Sequence, residues 1–316
     1  MNDIDKKWLK DRFGRDVFFD EPMWRHTTFG IGGPADAMIT LKSDQQVKDV
    51  IGWAGERGYP WMIVGAGSNL LVRDGGIRGL VLKLADGFTV IEQSSQDGSD
   101  RTVNVAAGAG TLLRRLGKHA LNRGLAGLNF ALGIPATVGG ALMMNAGAWG
   151  VCMADITNAI VILNGNGDIV TIQREQLRFS YRRLELEKGS VILRGEFRLK
   201  RTDRETLQKE ALEMQRRRRL TQPLSFPGAG CIFRNPQSGM SAGELIEKAG
   251  LKGFRVGNAE VSTKHANFIL NTGGACAAEV IALMKHVQQE VLSKFEINLE
   301  PEVRIVGEEI RAQKLL

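Results

Sequence analysis

The chain has 316 residues, 43% hydrophobic and 24% charged, an ordinary soluble balance that suggests two or three domains and a core able to fold without disulfides or structural metal. Three widely spaced cysteines (Cys152, Cys231 and Cys276) without a C-x-x-C pattern argue against a disulfide framework or a zinc site. No apolar stretch is long enough to span a bilayer and Met1–Lys10 is polar, so a cytoplasmic protein without a signal peptide is expected, and the net charge of +7 points to an anionic small molecule or to nucleic acid.

Ser43 and Gln46 form an S-x-x-Q capping box ahead of Val47, Val50, Ile51 and Ala54 at helical spacing, and Gly58 ends that helix. Trp61–Val64 reads as a short strand running into Gly65-Ala66-Gly67-Ser68-Asn69, with another strand at Leu80–Leu84. Short strands are then expected at Phe88–Glu92, Val103–Ala107, Ala159–Leu163, Ile169–Ile172 and Val191–Leu199. In the last, Val191, Leu193, Phe197 and Leu199 share one face, broken by Gly195. A helix over Leu112–Asn122, with Thr111 as its cap, interrupts them. The polar segment Thr202–Leu220 reads as a helix and marks a domain boundary. Ser241 and Glu244 form a second capping box for a helix ending at Gly250. Ala278–Phe295 is an amphipathic helix with Val280, Ile281, Met284, Val287, Val291 and Leu292 on its apolar face. The class is α+β.

Glycine is abundant, at 38 residues, and concentrates in three loops. Gly65–Asn69 is half of a dinucleotide fingerprint, but Leu70 replaces its third glycine and no helix pattern follows, so a Rossmann site is a weak reading. Its backbone N–H groups can still form an anion-binding nest, and an ordinary tight turn is the competing reading. Gly133–Gly150 is denser in small residues, as backbone pressed against an extended ligand would be. Thr28–Ala35, with Gly30, Gly32 and Gly33, is similar in kind.

These loops resemble the flavin-binding half of the UDP-N-acetylenolpyruvoylglucosamine reductase family. Ser225–Pro236 resembles the family's proton-donor segment, Phe179-Ser180-Tyr181-Arg182 its catalytic-arginine segment, and Val261–Phe268 and Leu299–Arg304 two further family segments. The compact tyrosine-arginine region suggests the family's shorter form. The resemblance implies the FAD-binding fold of the vanillyl-alcohol oxidase and p-cresol methylhydroxylase type, plus a C-terminal α+β substrate domain. The expected limits are 1–204 for FAD binding (about 1–75 and 76–204), 205–302 for substrate binding, and a tail, 303–316, packing back on the first subdomain. Implied flavin-binding residues are Gly30, Gly32, Gly65, Ala66, Gly67, Ser68, Asn69, Leu70, Pro135, Thr137, Gly139, Gly140 and Ala141. One loop glycine usual in the family is Ala136 here, and its methyl matters only if φ is positive.

The implied reaction takes a hydride from NADPH through FAD to the enolpyruvyl double bond of a UDP-sugar, giving UDP-N-acetylmuramate for peptidoglycan. Charge builds on the substrate carboxylate during that addition, and a fixed guanidinium, Arg182, is the implied partner. Glu302 would lie near the same carboxylate and is expected protonated or hydrogen-bonded. Cys231 stands where many relatives have the proton-donating serine, and a thiol can do the same work. Tyr181, Arg234, Asn235, Lys264 and His265 are implied on the substrate side. Without the resemblance, Arg182 and Glu302 read as surface charges, and Cys231 and His265 as packed residues. No metal ligands are expected, nor nucleic acid or membrane as partners, and a monomer is expected. Two other readings stay open: another FAD oxidoreductase of the same fold, and a basic nucleic-acid-binding protein built around Arg216–Arg219. The scarcity of aromatics, 6% of the chain, weighs against the latter.

Overall fold

A computed structural model describes residues 1–93, 101–237 and 239–310. The last residues of the expected tail, 311–316, lie outside the described residues.

Helix α1 (Asp3–Phe13) starts at Asn2, whose side chain accepts the Asp5 N–H, and strand β1 (Val17–Pro22) follows. Strand β2 (Pro34–Leu41) leads into α2 (Asp44–Arg57). The cap residues act there as expected: Ser43 accepts from the Gln46 N–H, and Gly58 closes the helix at φ +68°. The Gln46 side chain, however, accepts from Lys42 N–H, one residue before the cap. Strands β3 (Trp61–Ile63), β4 (Leu70–Val72), β5 (Ile77–Leu84) and β6 (Ile91–Gln93) come next. The strand expected at Phe88–Glu92 is displaced. Asp86–Thr89 is a 3-10 turn that buries Phe88, and the Phe88 carbonyl accepts the Gly110 N–H.

Strand β7 (Thr102–Gly108), helix α3 (Leu113–Asn122) and strand β8 (Leu125–Ala126) continue the chain. Thr111 is not the cap of α3. The cap residue is Leu112, without a side-chain bond, while Thr111 is fully buried with its hydroxyl unpartnered and its carbonyl accepting the Val138 N–H. The segment read as a glycine loop contains a helix, α4 (Val138–Met143). Strands β9 (Gly147–Ala148) and β10 (Val151–Cys152), helix α5 (Met153–Ile156), and strands β11 (Thr157–Leu163), β12 (Ile169–Gln173), β13 (Arg178–Ser180), β14 (Arg183–Glu185) and β15 (Val191–Arg201) follow. Beyond them lie α6 (Arg204–Thr221), α7 (Ala242–Lys248), β16 (Arg255–Val256), β17 (Ala259–Val261), β18 (Ile269–Asn271), α8 (Ala277–Phe295) and β19 (Arg304–Val306).

Internal contacts divide the chain into two units. One holds Met1–Met38, Gly67–Leu80 and Arg219–Leu316; the other holds Ile39–Ala66 and Val81–Arg218. The chain passes between them within β2, β5 and α6 and at Ala66–Gly67. The second unit is built on an antiparallel sheet of order β12-β11-β15-β7-β6, with β8 beside β15. Val191, Leu193, Phe197 and Leu199 are buried on β15 as expected. Gly195 interrupts them because a Cβ there would lie 2.6 Å from the Phe197 ring and 2.9 Å from Leu142.

The first unit packs α7 and α8 around the sheet β16-β17-β18, with Leu245, Ile246, Val261, Ile269, Val280, Met284, Val287 and Val291 in its core. Leu292, expected on the apolar face, is 49% exposed, because it stands about 100° round the helix from Val291. The C-terminal strand of this unit pairs in parallel with a strand of its middle segment, β19 on β4. No described helix is long and apolar enough to cross a membrane.

Candidate active site

In the first unit the Thr28–Ala35 loop is tied down by main-chain and asparagine bonds. Thr28 N–H donates to the Gly67 carbonyl (3.2 Å), and the Thr28 carbonyl accepts from Gly228 N–H (3.1 Å). The Asn271 amide donates to the Phe29 carbonyl (3.0 Å), and Asn271 N–H donates to Pro227 (3.0 Å). Gly30 and Gly32 have φ of +63° and +143°, where a side chain would strain the backbone. A Cβ on Gly67 would strike the His26 carbonyl, so that glycine is also required by neighbouring backbone. The Thr28 hydroxyl is buried with no partner among the described residues.

The same unit sets Cys231 and Glu302 on either side of an isolated β-bridge. Ile232 carbonyl accepts from Glu302 N–H (2.7 Å), Phe233 bridges Pro301, and Arg234 N–H donates to the Glu300 carbonyl (2.9 Å). Buried Asn267 holds the other edge. Its carbonyl accepts from Ile232 N–H (2.9 Å), its Oδ1 from Phe233 N–H (2.9 Å), and its Nδ2 donates to the Phe233 carbonyl (2.8 Å). Asn69 joins from the glycine loop: its Nδ2 donates to the Glu302 carbonyl (3.0 Å), and its own carbonyl accepts from Arg304 N–H (3.0 Å). Cys231 is half-buried in this frame.

The expected substrate-side residues of this unit have definite local partners. Asn235 Oδ1 accepts the Ala242 N–H at the start of α7 (3.1 Å), and Arg234 pairs with Glu300 at 3.8 Å. Ser262 Oγ, buried, accepts from both Lys264 N–H (3.1 Å) and His265 N–H (3.3 Å), which shapes the turn that presents them. Lys264 Nζ donates to the Arg219 carbonyl. His265 Nδ1 accepts from Asn267 N–H (3.3 Å) and its ring meets Phe268 edge-on. Burial lowers the imidazole pKa, with Lys252 acting in the same direction and Glu247 opposing it.

In the second unit Gly65 seats directly on Thr137: a Cβ on Gly65 would collide with the Thr137 hydroxyl. Thr137 in turn caps α4, accepting from Gly140 N–H (3.3 Å). The N–H groups of Val138 and Gly139 donate to Thr111 (2.8 Å) and Ala109 (2.9 Å), so these donors, expected to point at a ligand, are used inside the protein. Among the described residues, none of the loop hydrogen bonds is donated by the backbone N–H groups of Gly65, Ala66, Gly67 or Ser68. Ala136 is not at positive φ, and its methyl brings no strain.

Arg182 does not sit in a strand. Tyr181 and Arg182 form the two-residue turn of the β13–β14 hairpin, where Ser180 pairs with Arg183. Arg182 has φ +58° and its guanidinium lies over the Tyr181 ring, 5.1 Å from the centroid. Tyr181 is 51% exposed. The buried residue that reaches this turn is Asn145, whose Nδ2 donates to the Ser180 carbonyl at 3.0 Å.

Sequence reasoning missed Asn145, Asn267, Asn271 and Ser262. All four are buried; Asn145, Asn267 and Asn271 reach backbone of remote segments, which no local pattern encodes, whereas Ser262 caps the turn two and three residues on, a local serine-turn signal. Taken one unit at a time, the described residues leave polar groups of the kind a nucleotide cofactor such as FAD would use. In the first unit the Thr28 hydroxyl is buried and unpartnered, and in the second the Thr111 hydroxyl is too. The Gly65–Ser68 amides are available, and a Cβ at Gly140 would meet nothing closer than the Thr137 hydroxyl at 3.4 Å. No described cluster of His, Cys, Asp or Glu could hold a metal ion.

Residues 35–173 match the family model of an FAD binding domain, and residues 222–306 match that of the UDP-N-acetylenolpyruvoylglucosamine reductase C-terminal domain. The UDP-N-acetylenolpyruvoylglucosamine reductase of Desulfosudis oleivorans is 43% identical over 310 residues, covering 96% of this chain and 98% of that protein. The enzyme of the same name from Heliobacterium modesticaldum is 45% identical over 91% of this chain and 90% of its own length. The crystal structure of UDP-N-acetylenolpyruvylglucosamine reductase from Thermus caldophilus superposes with a TM-score of 0.78 at 37% identity, over 92% of this chain and 98% of that one. With identity of this order running from end to end, and with the Cys231, Lys264 and Glu302 segments inside the matched C-terminal domain, the chain belongs to the UDP-N-acetylenolpyruvoylglucosamine reductase family.

Proposed function

We propose that this protein reduces UDP-N-acetylglucosamine enolpyruvate to UDP-N-acetylmuramate in peptidoglycan precursor synthesis, with FAD as resident cofactor and NADPH as hydride source. The observation that carries the reading is the family relationship, which covers 96% of the chain and includes both its flavin-binding and its C-terminal parts. FAD, when bound, supplies hydride chemistry that no side chain can provide. Gly30, Gly32, Gly65–Leu70, Pro135, Thr137 and Gly139–Ala141 would hold it. The flavin part is 1–204, the substrate part 205–302, and 303–316 returns to the first subdomain. The parallel pairing of β19 with β4 supports that last point. The protein works as a cytoplasmic monomer without nucleic acid.

Three side chains act on the sugar. Arg182 pairs with the enolpyruvyl carboxylate, where negative charge grows during hydride addition. Cys231 delivers the proton from Sγ to the carbon that completes the reduction. Glu302, protonated or hydrogen-bonded, supports the enolic carboxylate. Tyr181, Arg234, Asn235, Lys264 and His265 orient the substrate. The backbone bonds that fix Ile232 against Glu302 support a shared role for Cys231 and Glu302, because neither neighbour can shift alone.

NADPH consumption by the purified holoprotein, with and without the enolpyruvyl UDP-sugar, tests the reading. Sustained consumption only with the sugar is expected. A flavin-loaded protein that ignores the sugar would move the assignment to another flavin oxidoreductase of this fold.

A further inference from the structure

We infer that Asn145 is the positioning residue for Arg182, an inference that rests on the role proposed above for that arginine. The hairpin carrying Arg182 consists of two three-residue strands, β13 and β14. So short a hairpin is marginal on its own and its turn needs an external tie. One anchor is β14, which lies beside α4 and buries Leu184 to 2% exposure. The other is Asn145, which reaches the residue immediately before the turn.

Asn145 is 8% exposed and both ends of its side-chain amide are used. Nδ2 donates to the Ser180 carbonyl (3.0 Å), and Oδ1 accepts from Ala154 N–H at the start of α5 (3.0 Å). Its backbone closes α4: Asn145 N–H donates to the Leu142 carbonyl (3.0 Å), with φ at +39°. Asparagine is among the few non-glycine residues that tolerate such a φ. The residue is therefore fixed by α4 at its backbone and by α5 at its Oδ1. That leaves Nδ2 one direction to point, at the turn that sets where the guanidinium stands. Arg182 is itself held in the left-handed region at φ +58°, so loss of the tie lets the turn relax and carries the guanidinium with it.

The test separates the two half-reactions of the FAD holoenzyme by rapid mixing. Asn145→Asp keeps the acceptor for Ala154 and replaces the donor to Ser180 with a charged oxygen that repels its carbonyl. It is expected to slow reoxidation of the NADPH-reduced enzyme by the enolpyruvyl UDP-sugar by about 10- to 100-fold, as an ångström-scale misplacement does. Flavin reduction by NADPH should stay near the parent rate. In an Arg182→Ala background, Asn145→Asp should add no further loss. Equal losses in both half-reactions, additive losses in the double variant, or an undiminished reoxidation rate would each overturn the inference. An undiminished rate in Arg182→Ala alone would instead overturn the arginine's own role, and the inference with it. Should Asn145→Asp emerge without flavin, Asn145→Gly replaces it in the same comparison, since glycine takes the positive φ freely.

Discussion

At the scale of single residues, the candidate site depends on side chains whose chemistry and whose anchoring are separate matters. Cys231 illustrates the first. Cys231→Ser keeps a donor of similar size, so substantial turnover is expected. Cys231→Ala should still reduce flavin with NADPH yet fail to complete sugar reduction, and stopped-flow monitoring of both steps checks it. His265 illustrates the second. Burial lowers its pKa in the folded protein, while an unfolded chain titrates near the ordinary value of about 6.5. Between those two values the unfolded state binds more protons, so stability falls as pH drops through that window and is complete above it. His119, lowered by burial and then by Arg123 and Arg115, has the same sign. Thermal melts of the parent and of His265→Gln, taken above and below the window, should show the smaller acid loss in the variant. Legibility at this scale was uneven. Thr111 had the right type for a cap but is one position too early, and its burial leaves the hydroxyl unpaired.

At the scale of elements, local rules read the helices well wherever the cap is local. Ser43 with Gly58 and Ser241 with Glu244 appear in the structure where the sequence places them. Helix α8 is different, because much of its N-terminal capping comes from far away. Asp74 accepts Ala277 N–H (2.8 Å) and Ala278 N–H (2.9 Å), across roughly two hundred residues. Asp74→Ala leaves both donors without that partner. It should cost about 1–2 kcal/mol of unfolding free energy, measured by urea denaturation. A change within error would show that Glu279, which accepts Cys276 N–H at 3.2 Å, suffices alone. The β13–β14 hairpin shows the opposite failure. Phe179–Arg182 carries strand-forming residues, yet Arg182 takes the turn position that glycine or asparagine usually fills.

At the scale of the whole chain, the C-terminal segment returns to strand β4, more than two hundred residues earlier in the same unit. Val303 is 3% exposed, and β19 pairs with β4 from Arg304 to Val306. Truncation after Glu302 removes that strand and a buried valine. A loss on the order of 2–4 kcal/mol is expected in urea denaturation, with flavin content reported by absorbance. The basic run at Arg216–Arg219 makes exposed pairs along its own helix and one packing contact. Arg216 and Arg217 pair with Glu213 at 3.2 and 2.9 Å, and Arg218 packs over Gly133, where it leaves no room for a Cβ. Arg216 and Arg217 remain 70% and 62% exposed despite these pairs, as on a solvated helix face.

The amino-acid sequence by itself determined the α+β class, the helices capped by Ser43 and Ser241, most of the central strands and the glycine loops at Thr28–Ala35 and Gly65–Asn69, because each rests on periodicity or on residues a few positions apart. With the family's motifs it also named Cys231, Arg182 and Glu302. Tertiary structure alone decided which neighbour each glycine leans on. Gly65 is needed by Thr137 and Gly67 by His26, and Gly195 makes room for the Phe197 ring two residues on. It alone revealed Asn145, Asn267 and Asn271, buried amides bonded to distant backbone. Their partners stand 35, 34 and 242 residues away in the chain, and such pairings exist only once the chain has folded.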